Sequence, residues 1–173
     1  MRRANFWWVW NHDKQEKKLD ALSERGIQLE RPSMFAATYV LDSSQRYAYR
    51  LDYRPHMKRR REKQEEYVAF YRDAGWEHLG NCTQWHYFRR PWTDSVPMDI
   101  YTDIESLKQH YQRIRRTIGG VLLLEILVLI GEIFNAYYAE KDMSLWPIVG
   151  VMAVLDLLLA YGFMQITRKL HRL

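Results

Sequence analysis

The sequence predicts an α+β fold. A cytoplasmic antiparallel-sheet domain of two helix-plus-meander repeats (residues 1–117) precedes a C-terminal two-helix transmembrane hairpin (residues 118–173). Three observations carry this reading. Residues 1–117 hold 22 of the 26 Lys and Arg and 16 of the 21 acids, whereas the rest of the chain is mostly apolar or aromatic. Two apolar runs there, about 118–138 and 145–166, have bilayer length. A helix, a glycine and then strands occur twice in the first two-thirds.

In chain order, FWWVWN (6–11) reads as a strand from its aromatics and valine. KQEKKLDALSERG (14–26) is an amphipathic helix with Leu19 and Leu22 inward and Gly26 as terminator. Strands follow within IQLERP (27–32), FAATYVLD (35–42) and YAYRLDY (47–53), with a turn at DSSQ (42–45). The second helix, KRRREKQEEYVAFYRDAG (58–75), puts Tyr67, Phe70, Tyr71 and Ala74 on one side. WEHL (76–79) and QWHYFRR (84–90) are strands about a Gly80-Asn81 turn, and MDIYTD (98–103) is a third. Thr102 and Glu105 form a capping box for a helix from about Ile104, and Gly119-Gly120 offers a bend before the first span.

The spans cover about 31–33 Å at 1.5 Å per residue, which matches a hydrocarbon core of roughly 30 Å. AEKDMS between them allows only an antiparallel hairpin; Ser144 can cap the second helix, with Pro147 in its first turn. Arg113, Arg115 and Arg116 precede the first span and RKLHR (168–172) follows the second. The positive-inside rule then places both termini and the whole of residues 1–117 in the cytoplasm. The N-terminal apolar stretch is too short for a secretory signal, and the lone Cys82 excludes an intramolecular disulfide.

The motifs YAYRLDY, FYRDAGWEH, WHYFRR and IYTDIESLKQHYQRI, in that order, resemble the uncharacterised bacterial family filed as domain of unknown function 2812. The resemblance covers roughly residues 5–115. It implies a C-terminal attachment to a bacterial cell membrane and, from frequent neighbouring PadR-like regulators, an induced membrane-associated role. It brings no activity, cofactor or catalytic residue. Leu107-Lys108 and Ile27 depart from the usual pattern without altering the fold expected.

His78, Cys82 and His86 are spaced by four, but three ligands without a CxxC or HExxH make a poor zinc signal; strand-surface histidines and an inert thiol are favoured. No GxSxG or phosphate loop occurs, so the reading leans away from an enzyme and expects no cofactor. Lys58, Arg59, Arg60 and Arg61, with Arg113, Arg115 and Arg116, form a basic surface. An anionic lipid surface suits it better than nucleic acid, at about 1 kcal/mol per base near the membrane.

Three acids inside the spans are the best functional clue. Glu125 and Glu132 lie seven residues apart and share a helix face; Asp156 sits mid-span with Ala153 and Ala160 on its face. A charged acid at bilayer centre costs about 2.5–3.5 kcal/mol on insertion scales. With no Lys, Arg or His inside either span, they imply self-association or docking to another integral membrane protein. The expected function is therefore a non-enzymatic, membrane-anchored interaction, sensing or accessory module. The alternative is a small oligomeric proton or cation translocator using the same carboxylates.

Overall fold

The computed structural model describes residues 1–55, 61–94, 98–101, 103–138 and 146–173. These divide into two compact units, Met1–Ser106 and Leu107–Leu173.

The first unit is α+β, with strands β1 (Arg2–Ala4), β2 (Ile27–Arg31), β3 (Ala36–Leu41), β4 (Tyr47–Tyr53), β5 (Glu77–Cys82) and β6 (Trp85–Pro91). Helix α1 (His12–Glu24) follows β1, and α2 (Arg61–Asp73) follows β4. The strands form two antiparallel three-stranded sheets, ordered β1-β3-β2 and β4-β6-β5. Both halves thus run strand, helix, strand, strand, and in both the last strand sits between the other two. The repeat expected from the sequence is present as two βαββ units, and β4 opens the second rather than closing the first meander. DSSQ accordingly joins two sheets, and Asp42 Oδ1 accepts the Ser44 N–H at 2.9 Å within that turn.

Both helices end where a residue with positive φ is needed. Gly26 has φ +73° and Gly75 has φ +84°, and their N–H groups bond to Ser23 O and Arg72 O, each at 2.9 Å. Such left-handed positions favour glycine, which has no Cβ to clash.

Several expectations need correction. FWWVWN is not a strand. Its first residues lead into a 3₁₀ turn (Val9–Asn11), and its rings pack against different neighbours: Trp7 edge-on to Trp85 at 5.0 Å, Trp8 stacked on Trp10 at 4.9 Å. The first strand lies earlier, at Arg2–Ala4. Gly80-Asn81 is not a turn; β5 bulges between His78 and Gly80 and continues to Cys82, with the turn at Thr83-Gln84. The described part of MDIYTD, 98–101, is not a strand either. Met98 and Ile100 alternate inward as in a strand, but Ile100 packs beside Tyr71, Trp76 and Phe88 rather than into a ladder. Phe70 is exposed because Tyr67 and Tyr71, one turn apart, carry the buried face of α2; Ala74 is exposed beyond its end.

On α1, Leu19 is buried and Leu22 only half so. Its inner face is mostly polar for a specific reason. Among the described residues only one edge of β4 pairs with a strand, β6. On the other edge, Ser23 Oγ, Asp20 Oδ1 and Glu16 Oε1 accept the N–H groups of Tyr47, Tyr49 and Leu51 at 2.7, 2.7 and 2.8 Å. Side chains one turn apart on a helix thus replace a strand, satisfying donors that would otherwise be costly to bury. Tyr49 Oη links the sheets, accepting the Leu29 N–H at 3.1 Å and donating to Gln28 Oε1 at 3.0 Å.

Helix α3 (Ile104–Tyr138) begins in the first unit and forms the second with α4 (Trp146–His171). Asp103 caps α3, its Oδ1 accepting the Ser106 N–H at 2.7 Å. Thr102, the capping residue read from the sequence, lies outside the described residues, as do the AEKDMS turn and Ser144. The helix runs through Gly119-Gly120 without a break. Pro147 falls in the first turn of α4.

Candidate functional site

Both α3 and α4 are long and apolar enough to cross a membrane. From Gly120 to Tyr138 the residues of α3 with reduced exposure are Leu122, Glu125, Leu129, Glu132 and Ala136. They recur every three or four positions, which is one stripe of a helix. Between them Leu123, Leu124, Leu127 and Phe134 are exposed. On α4, Val149, Asp156 and Ile166 are buried, with Ala153, Ala160 and Phe163 partly so. The Phe163 ring lies against Gly119, where an added Cβ would stand 3.0 Å from it, so glycine allows this close approach.

The structure therefore places Glu125 and Glu132 half-buried on the inner stripe of α3, and Asp156 on that of α4. Asp156 is only 9% exposed, and neither of its carboxylate oxygens has a hydrogen-bond partner among the described residues. A buried acid of this kind is costly unless it is neutral or paired.

Of the basic residues, Arg113, Arg115 and Arg116 lie on α3 just before its apolar stretch, with Arg116 exposed and the others half-buried. Lys58, Arg59 and Arg60 lie outside the described residues. Arg61 opens α2, but its side chain is also outside them.

The first unit contains a polar cluster that sequence reasoning missed. Asp52, fully buried on β4, accepts hydrogen bonds from Arg54 Nε at 2.8 Å, Tyr67 Oη at 2.6 Å and Tyr101 Oη. The Arg54 guanidinium also lies 5.0 Å over the Tyr67 ring. Burial, and then the Asp52 charge, push the Tyr67 hydroxyl well above its ordinary pKa. This carboxylate is enclosed by its donors, so it clamps β4, α2 and the segment leading to α3. An acid amid the tyrosines of YAYRLDY was its only sequence signal, since acids are depleted in strands.

Beside it, His86 Nδ1 and His78 Nε2 stand 3.2 Å apart, and burial lowers the pKa of His78. Cys82 lies opposite Trp85 instead. Among the described residues no group of three His, Cys, Asp or Glu is arranged to hold a metal. An open depression of about 470 Å³ next to His78 is lined by Val68, Arg72, Gly75, Trp76 and Glu77. Glu77 is engaged by Arg89 at 2.7 and 3.0 Å.

An α+β unit of two βαββ repeats joined to a pair of bilayer-length apolar helices defines the class. A family model described as protein of unknown function (DUF2812) matches residues 11–123, and the chain belongs to that family. The match runs from the turn before α1 into the apolar part of α3, so Glu125, Glu132 and Asp156 lie beyond it. No curated protein and no solved structure matches the chain.

Proposed function

We propose that this protein is a non-enzymatic interaction, sensing or accessory module. Its hairpin is embedded in a bacterial cell membrane with both termini cytoplasmic, and it associates through Glu125, Glu132 and Asp156 with itself or with another integral membrane protein. The observation that carries the reading is Asp156, buried with both oxygens unpartnered among the described residues, in a helix pair whose outer faces are apolar. In hydrocarbon such a group gains most from a donor on another helix, and α3 and α4 hold no base within their apolar stretches. Arg113, Arg115 and Arg116 before the first span, and Arg168, Lys169 and Arg172 after the second, support the orientation. The same bases suit an anionic leaflet.

The test is crosslinking in native membranes, followed by mild-detergent purification and mass spectrometry of wild type, Asp156→Asn and Asp156→Leu. The reading expects a defined oligomer or a specific membrane partner that is kept in the Asn variant and lost in the Leu variant. A lone monomer in wild type, or identical assemblies in all three, refutes it. An intact oligomer whose proton flux in liposomes is stopped by Asp156→Asn favours the translocator instead.

A further inference from the structure

One end of the first sheet presents four apolar side chains to solvent: Phe6 at 61% exposure, Trp8 at 40%, Met34 at 50% and Phe35 at 72%. Hydrogen bonds tie together the segments that carry them. Asn5, buried between the two segments that carry them, donates its N–H to Phe35 O at 3.1 Å and its Nδ2 to Ser33 O at 3.2 Å. Gln15 Nε2 in turn donates to Asn5 Oδ1 at 2.6 Å. The Phe6 and Trp8 rings meet edge to face at 5.2 Å, and Trp8 stacks on the buried Trp10. Arg2 on β1 and Arg31 on β2 flank Thr38 of β3 from opposite sides, making a basic row beside the aromatic end; Arg3 and Glu30 are its exposed neighbours.

We propose that this end of the first sheet is a bilayer-contact surface. Phe6, Trp8, Met34 and Phe35 enter the headgroup region of an anionic membrane while Arg2 and Arg31 meet lipid phosphates. Tryptophan and phenylalanine beside cationic residues are the side chains that settle at the membrane–water boundary. Four side chains fall well short of the roughly 800 Å² per partner of a stable protein interface, which argues against a second copy. A surface tethered beside a bilayer meets it at high effective concentration, so a small patch is enough. The inference rests on the reading of the hairpin as membrane-embedded.

The experiment uses the full chain, with Cys82→Ser and a single probe site at Met34→Cys or, as control, at the exposed Glu24→Cys. Each variant is labelled with a polarity-sensitive fluorophore and reconstituted into phosphatidylcholine vesicles with or without phosphatidylglycerol. The expected result is a blue-shifted label at position 34, quenched several-fold more by brominated acyl chains than the label at position 24. The shift should weaken without phosphatidylglycerol, and with Phe6→Ser and Phe35→Ser combined. A label at 34 as wet as that at 24 overturns the proposal. So does a dry but unquenched label that becomes wet on dilution into excess lipid, since a second copy would then be the cover. Alkaline carbonate separates the readings: a chain it extracts refutes the embedded hairpin, while a retained chain with a wet label at 34 refutes the patch alone.

Discussion

Replacing Glu16 with glutamine should make the protein more stable at neutral pH. The Glu16 carboxyl accepts the Leu51 N–H at 2.8 Å, and burial raises its pKa from 4.5 to about 8 against the opposing pull of that bond and of Arg50. A carboxyl with a folded pKa above its unfolded value binds its proton more tightly in the folded state. Its stabilising contribution is fully present below pH 4.5 and is lost as pH rises toward 8. Between pH 5 and pH 7 that loss is about 3 kcal/mol, at 1.36 kcal/mol per unit. Glutamine keeps an acceptor for Leu51 and cannot titrate. Urea unfolding of the detergent-solubilised chain can be followed by tryptophan emission, since every tryptophan except Trp146 lies in the first unit. Wild type should weaken between the two pH values by about 3 kcal/mol more than Glu16→Gln. Parallel pH profiles would refute the reasoning, because histidines and other groups titrate equally in both proteins.

Tyr101→Phe removes one of the hydrogen bonds donated to Asp52, which should cost about 1–2 kcal/mol in the same urea assay. Gly26→Ala forces a Cβ onto φ +73° and within 2.2 Å of Ser43 Oγ. It should cost about 1–2 kcal/mol and lower the thermal midpoint, and Ser43→Gly should restore only the steric part.

Local chemistry was legible in the sequence; pairing at a distance was not. Gly26 and Gly75 marked the helix ends because a left-handed residue is a local demand, and the two apolar helices followed from length and composition. YAYRLDY was visible as a strand, but its partner β6 lies beyond a whole helix, and nothing local assigns it to the second sheet. Nothing local in α1 marks Glu16, Asp20 and Ser23 as partners of strand donors about 24 to 35 residues away. The acids of the hairpin stood out because a charge inside an apolar run is conspicuous. Asp52 did not, since its donors Tyr67 and Tyr101 arrive from 15 and 49 residues downstream.

The bonds from α1 to β4 also bear on how this protein can fail. Tyr47, Tyr49 and Leu51 point their N–H groups along an open, tyrosine-rich strand, and only side chains of α1 keep that row occupied. A chain in which α1 has lifted away displays a ready template for strand addition by a neighbour. With the hairpin embedded as proposed, copies are confined to two dimensions and the route from local opening to polymerisation would be short. Mutations that loosen α1 should therefore show first as aggregation and only later as loss of the fold.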